Sequence, residues 1–370
     1  MHTKEQKFIK EFTPNWFAVI MGNGGVALVL QYYASSLPFL WYIATCIWCI
    51  DIVLFILFSG LLITRFCYYP AHFKLMLKNA TQPLFLGCIP MALITIVNGF
   101  ISSGVPLFGA TVAYILGIDF WWCAVVLSLI SAWLIPFAMF LVQEHTLESM
   151  TPMWLLPVVA CEVTAASGGL FIPHMAISVQ VTSLFLCFIL WSISVLLAFA
   201  IITVFVKRLI IHSLPGKNLA PSIWLVLGPL GTGALGLITM SHAVLLIAPQ
   251  TSPHLETLIS GFPGIGLFAA VILWGFGFWW LVTALISTIY QFIKGINFAM
   301  SWWAFTFPLA VFTLATLAIA TETNLLLFSI PGVICTLLLV FFWITVIIKT
   351  IMGALDQSLF SAPCLKESQK

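Results

Sequence analysis

Long apolar runs separated by short polar segments extend along the whole chain, and they predict its secondary structure. No charged residue occurs in 12–50, 79–118, 163–206, 218–255 or 257–293. One helical crossing of a bilayer needs about 20 residues, so most of these runs are long enough for more than one helix. Breaks at proline, glycine and polar clusters divide the chain into ten predicted spans. They are 14–34, 39–64, 83–103, 109–142, 152–172, 176–206, 221–247, 258–292, 300–320 and 325–352.

A proline recurs at the start of the odd-numbered spans. Pro14, Pro83, Pro152 and Pro221 are each 69 residues apart, in the settings TPNWF, TQPLF, TPMWLLP and APSIW. Proline is favoured in a first helical turn, where its missing N–H would have no partner anyway. The repeat predicts an all-α membrane protein of five helical hairpins, the fifth starting near SWWAFTFP, with the odd helices around a central pore.

The odd spans also contain a second set of helix-breaking residues part-way along their length. Inside lipid, a broken hydrogen-bond ladder is tolerated only beside protein or a water-filled cavity. We therefore expect these helices to line the pore, the alternative being simple packing kinks. The residues are Gly22, Gly24, Gly25, Pro90, Pro157, Pro229, Gly231 and Pro308.

Composition agrees with a membrane protein. Of 370 residues 62% are hydrophobic and 6% are charged, and the net charge is only +2. Such a chain is not a nucleic-acid-binding protein, which would carry a basic surface. The nine cysteines mostly lie in apolar runs, where thiols pack as small hydrophobic groups, and the aromatic residues are expected to face lipid. The sequence predicts no metal site and no cofactor.

The basic residues predict the orientation in the membrane. All thirteen lie near the termini or in the connections after spans 2, 6 and 8, which the positive-inside rule assigns to the cytoplasm. This gives cytoplasmic tails at 1–13 and 353–370 around a transmembrane domain at 14–352, with no cleaved signal peptide expected. The basic residues are Lys4, Lys7, Lys10, Arg65, Lys74, Lys78, Lys207, Arg208, Lys217, Lys294, Lys349, Lys366 and Lys370.

Polar residues inside spans are few and are candidates for function. Glu162 and His242, on odd spans 5 and 7, form either a proton relay or structural hydrogen bonds. Asp51, on even span 2, is expected to be structural. No Lys or Arg occupies the middle of a span, so an anion would be attracted by helix dipoles, backbone N–H groups and neutral donors. The candidate donors are Asn23, Asn98, Ser167, Thr232 and Thr306.

Four motifs give the chain a family resemblance: FTPNWFAVIMGNGG, TPMWLLPVV, VLGPLGTG and WWAFTFP. The chain resembles the tellurite-resistance/dicarboxylate transporter family, which includes plant slow anion channels, fungal malic acid permeases and sulfite efflux proteins. GPLGTG and TPMWLLP look most similar to the malic acid permease branch. The resemblance implies a homotrimer whose subunits each have a pore, occluded by a phenylalanine that matches Phe307. The alternative for Phe307 is ordinary packing.

These observations lead to an expected function. The chain is expected to carry small anions across a plasma or inner membrane, with C4-dicarboxylates such as malate first. The alternatives are a channel or efflux protein for sulfite, nitrate or chloride, and a tellurite-resistance protein. An integral-membrane enzyme would need a clustered nucleophile, metal set or acid–base pair, which the sequence does not supply. The sequence does not separate a channel from a proton-coupled transporter.

Overall fold

The computed structural model describes residues 9–360, and this part of the chain is helical with no β-strand. Of the predicted tails, residues 1–8 and 361–370 lie outside the described residues. Ten long α-helices, numbered here in chain order, form the body of the protein. They are α1 Phe17–Tyr32, α2 Phe39–Tyr68, α3 Cys88–Gly99, α4 Ala110–Leu141, α5 Leu156–Phe171, α6 Ile177–His212, α7 Leu227–Ile247, α8 Phe262–Ile293, α9 Phe307–Thr323 and α10 Leu326–Leu355.

Nine helical segments within residues 9–360 are long and apolar enough to cross a membrane, and they contain α2 to α10. The chain is therefore a multi-pass membrane protein. The predicted first span corresponds to α1, which has 16 residues and includes Asn23 among three glycines. With 16 residues, α1 is shorter than each of the nine, although most of its residues are buried by neighbouring helices. A tenth span thus stays a prediction.

Odd and even helices occupy different layers. In the most apolar window of α3, α5, α7 and α9, between 72% and 94% of residues are buried. The corresponding share in α2, α4, α6, α8 and α10 is between 22% and 39%. The even helices also carry most of the exposed leucine, isoleucine and phenylalanine side chains, which suit contact with lipid. The odd helices therefore form an inner layer and the even helices an outer layer.

Each inner helix begins with a short 3₁₀ segment. In α3, α5, α7 and α9, one proline then lies at the second or third position of the α-helix. These prolines are Pro90, Pro157, Pro229 and Pro308. The sequence analysis expected these prolines to interrupt the spans part-way, and they lie where each span changes from 3₁₀ to α-helix, with no kink inside the α-helix. A proline in a first turn removes no hydrogen bond. The 3₁₀ segments are Pro14–Trp16, Gln82–Gly87, Pro152–Leu155, Ala220–Val226 and Met300–Phe305.

The glycines of the inner helices allow close packing and do not break their helices. Helix α1 runs unbroken through Gly22, Gly24 and Gly25. A Cβ atom built on Gly22 would lie 2.3 Å from Thr306 Oγ1, and one on Gly24 would lie 2.3 Å from Thr95 Oγ1. Gly231 packs against the backbone of α9, since a Cβ atom built on Gly231 would lie 2.6 Å from the Cα atom of Phe312. The inner helices thus approach each other where a side chain would not fit.

Tryptophan indoles of the outer layer connect it to the inner layer. Each of the outer helices α2, α4, α6 and α8 donates an indole N–H to the next inner helix along the chain. The fifth outer helix, α10, donates one to α1. These bonds join consecutive hairpins and close the assembly into a ring. They run from Trp48 to Ile96 O, Trp121 to Thr164 O and Trp191 to Gly233 O at 2.9 Å each, and from Trp274 to Thr316 Oγ1 and Trp343 to Asn23 Oδ1 at 2.8 Å each.

Candidate permeation pathway

The C-terminal halves of all five inner helices meet around one cavity of about 410 Å³, which we call the vestibule. Four of its lining residues are spaced by 69 along the sequence, the interval that also separates the prolines. Equivalent positions of successive inner helices therefore face the same space. These residues are Tyr32, Ile101, Leu170 and Thr239.

A second, much smaller cavity lies among the N-terminal parts of the same five helices, and we call it the narrow cavity. Its volume is about 20 Å³, close to the space that one water molecule needs. Neither cavity is lined by Lys or Arg among the described residues. The residues around the narrow cavity include Ala18, Cys88, Leu156, Leu225 and Met300.

Five buried residues, which we call the closed layer, separate the two cavities. Each lies seven residues after a residue lining the narrow cavity and seven before one lining the vestibule. The closed layer therefore lies between the two cavities along each inner helix. All five residues are buried, so the two cavities are not joined at this level. The closed layer consists of Gly25, Thr95, Val163, Thr232 and Phe307.

Phe307 is the one large side chain of the closed layer, and 3% of it is exposed. Its ring lies against α1, since a Cβ atom built on Gly25 would be 3.5 Å from Phe307 Cδ2. Within residues 9–360, Phe307 contacts no other aromatic ring. By contrast, Phe305 stacks on Phe342 at 4.7 Å and Phe312 stacks on Trp274 at 6.1 Å. No aromatic stacking therefore holds the Phe307 ring in place.

Three of the five predicted anion donors lie on the pathway. Asn98 and Ser167 line the vestibule, and the Ser167 hydroxyl donates to Asn98 Oδ1 at 2.5 Å. Thr232 belongs to the closed layer, and its buried hydroxyl has no hydrogen-bond partner in the described part of the chain. The pathway therefore offers neutral donors in place of fixed positive charges.

The other two predicted donors lie off the pathway. Asn23 Nδ2 donates to Asp51 Oδ1 at 3.1 Å, and Asn23 Oδ1 accepts from the Trp343 indole at 2.8 Å. Its amide thus joins α1 to two outer helices, and Asp51 has the structural role expected of it. Thr306 donates to Trp303 O at 2.7 Å and lines neither cavity. Both residues correct the prediction, because their side chains face neighbouring helices.

Glu162 and His242 are not brought together. Glu162 is fully buried, its carboxylate lies near the Ser194 hydroxyl on α6, and Oε2 lies 3.8 Å from a Cβ atom built on Gly233. His242 lies nine residues beyond Gly233 on α7, which corresponds to about 13.5 Å along a helix. A direct relay between the two residues does not fit this distance.

His242 instead pairs with a residue that the sequence analysis missed. Its Nε2 atom lies 2.7 Å from Glu322 Oε1, and both side chains line the vestibule. The predicted ninth span ended at residue 320, so Glu322 fell into a connection. Its position two residues beyond an apolar inner span, at the same membrane side as His242, was the available signal. No group of three or more metal-ligating residues occurs within residues 9–360.

A layer of buried helices around two cavities on one axis, inside a layer of lipid-facing helices, is the architecture of a membrane channel or transporter. Residues 11–351 match the family model described as voltage-dependent anion channel, SLAC1. The chain belongs to this family, which confirms the resemblance seen in its motifs.

Relatives with assigned names are also transport proteins. The sulfite efflux pump of Arthroderma benhamiae is 35% identical over 359 residues, covering 95% of this chain and 93% of the relative. An uncharacterized transporter of Methanocaldococcus jannaschii is 31% identical over 356 residues, covering 96% and 98%. The malic acid transport protein of Schizosaccharomyces pombe is 26% identical over 358 residues, covering 93% and 78%.

Proposed function

We propose that this protein passes small inorganic anions across the cell membrane, with sulfite as the leading substrate. The observation that carries the proposal is the pair of cavities on one axis, lined by all five inner helices and free of lining Lys and Arg. Weak, neutral binding sites suit rapid passage of an anion. The sequence analysis placed malate first, but three fungal sulfite efflux pumps are 35% identical to this chain, against 26% for the malic acid transport protein. Malate is therefore the second candidate.

Helix dipoles favour anion binding at the cytoplasmic mouth. The N-termini of the inner helices surround the narrow cavity, and helix N-termini carry partial positive charge. The chain enters these helices from the connections that hold Lys74, Lys78, Lys217 and Lys294. In the proposed topology this side is cytoplasmic, so anions concentrate at the cytoplasmic mouth. The C-terminal, partially negative helix ends face the vestibule on the outer side.

Phe307 acts as the gate in this proposal. Opposite its ring stands Gly25, which has no side chain, so the ring fills the space between α1 and α9. A hydrophobic constriction that is too narrow for stable water excludes ions without carrying any charge. Displacement of one ring would join the two cavities. The hydroxyls of Thr95 and Thr232 would then lie beside the passing anion.

The proposed assembly has ten spans, five hairpins and three subunits with one pore each. Ten spans bring both termini to one side, as the basic residues require, and the trimer follows from the family resemblance. A reporter fused to the C-terminus and active only in the cytoplasm should be active. Activity of a matched reporter that works only outside the cytoplasm would contradict both the orientation and the even number of spans.

A flux measurement tests the proposed substrate. Purified protein in liposomes, with the membrane potential clamped, should release sulfite, nitrate and chloride above the rate of protein-free liposomes and release malate more slowly. Faster malate release would return the dicarboxylate to first place. If protein with a cooperative thermal melting transition, which shows that it is folded, releases none of the four anions, the proposed function is overturned.

A further inference from the structure

The vestibule lining contains one carboxylate and one imidazole, and the two are paired. His242 Nε2 and Glu322 Oε1 are 2.7 Å apart, and their side chains are 49% and 35% exposed. Both therefore remain in contact with water in the space that an anion would cross. Tyr32 also lines the vestibule, and its hydroxyl shares a hydrogen bond of 3.1 Å with Thr321 on α9. The other lining residues are apolar or carry neutral polar groups.

Glu322 is an unusual residue to find here. It lies one residue before the end of α9, where the helix dipole already has its negative pole, so a carboxylate is disfavoured. The vestibule wall holds no Lys or Arg to balance it. Other titratable residues on neighbouring elements at this end are His174, His254 and Glu256, none of which lines the vestibule. Within the vestibule, His242 is the group able to balance Glu322.

The charge of Glu322 acts on any anion in the vestibule, and its effect grows with anion charge. Two unit charges about 7 Å apart in a water-like medium repel enough to change an equilibrium by about threefold. A dianion is therefore excluded about threefold more strongly than a monoanion. When His242 is protonated, the pair is neutral and this discrimination disappears.

We propose that His242 and Glu322 form a valence filter at the vestibule, which admits monovalent anions in preference to divalent ones while His242 is neutral. The inference rests on the proposed anion transport, and it specifies the charge that the transported anion carries. For an oxyanion with two charge states, such as sulfite, the filter favours the protonated, singly charged form. The sign follows directly: discrimination is strong while His242 is neutral and weak while it is protonated.

Nitrate and sulfate test the filter because their charges stay fixed between pH 5.5 and pH 8. The measured quantity is the ratio of tracer sulfate flux to tracer nitrate flux in proteoliposomes. In the wild-type protein this ratio should rise as pH falls. Glu322→Gln should raise the ratio about threefold at pH 8 and leave little dependence on pH. His242→Gln keeps the carboxylate and should hold the ratio low at every pH.

Glu256→Gln is the matched control, since Glu256 lies at the same end of the protein in the helix Pro253–Ile259 but lines no part of the vestibule. It should retain the wild-type ratio and its pH dependence. Wild-type behaviour of both Glu322→Gln and His242→Gln overturns the filter and leaves the proposed transport intact. If one variant fails to fold, the other decides alone. A wild-type protein that moves sulfite but not nitrate also overturns the filter, whereas movement of no anion overturns the proposed function.

Discussion

At the scale of single residues, two phenylalanines of α9 offer a direct comparison. Phe307 belongs to the closed layer and has no aromatic partner among the described residues. Phe312 stacks on Trp274 and packs against Gly231 and Gly277. Both are buried, so burial alone does not separate a gate from a packing residue. Their surroundings differ: Phe312 fills the space between packed helices, whereas Phe307 lies between the two cavities, where the proposed gate would be.

The first prediction uses this contrast. Phe307→Ala should raise anion flux per folded protein while preserving the order of preference among anions, because the lining residues remain. Phe312→Ala should instead lower thermal stability and yield, since truncating a packed phenylalanine costs about 3–5 kcal/mol. Flux in proteoliposomes, normalised to folded protein, measures the difference. Unchanged or lower flux in Phe307→Ala would show that Phe307 is not the gate.

The second prediction concerns the hydroxyl of Thr232. This group is buried in the closed layer without a partner, so Thr232→Val should not lower stability. Loss of one hydrogen bond of about 1 kcal/mol to a passing anion should slow flux about fivefold. Thr203→Val is the control, because Thr203 lies on the exposed face of α6 and donates only to Phe199 O. Equal flux in the two variants would remove Thr232 from the pathway.

The sequence predicted which helices surround the pathway better than which side chains face it. Asn98 and Ser167 do line the vestibule, but Asn23 and Glu162 lie on inner helices and face their neighbours. An inner helix is apolar all round, so its hydrophobic pattern identifies a buried helix and contains little information on its rotation. Rotation is set by contacts between helices, such as the amide of Asn23 between Asp51 and Trp343.

At the scale of helices, the indole bonds between layers were not predictable. Tryptophan is expected at membrane interfaces, and the sequence analysis placed the aromatic residues towards lipid. Trp133 does face outward, with 61% of its surface exposed. Trp121, on the same helix, is fully buried and donates to Thr164 O. Only the rotation of α4 in the assembled layers distinguishes these two residues.

The third prediction tests this connection between layers. Trp121→Phe keeps an aromatic ring but removes the donor, so the carbonyl of Thr164 loses a partner in a dry interface. That carbonyl also accepts a backbone N–H within α5, so the loss is one hydrogen bond of about 1 kcal/mol, and the melting temperature in detergent should fall slightly. Trp133→Phe should melt as the wild-type protein does. A melting temperature of Trp121→Phe equal to that of Trp133→Phe would mean that the indole bond adds nothing to stability.

At the scale of the whole molecule, one chain supplies the complete lining of the pathway. All five inner helices contribute to both cavities and to the closed layer, and the outer helices separate them from the surroundings. A proposed trimer would therefore contain three separate pathways, in contrast to a channel whose pore runs along the symmetry axis between subunits. Contacts between subunits would involve the outer helices only.

The fourth prediction follows from this separation and uses linked trimers, in which three copies of the chain are joined in one polypeptide. Replacing Phe307 by Ala in one, two or three copies should raise the conductance in three equal steps, because each gate closes only its own pathway. The same series with Phe312→Ala, which disturbs packing within a subunit, should give no stepwise rise. Planar bilayer recordings normalised to folded protein measure the steps. A conductance that rises only when all three copies are changed would mean that the subunits share one gate. A linked trimer that fails to assemble, while single chains conduct, would contradict the proposed trimer. That result would leave the proposed pathway within each chain unaffected.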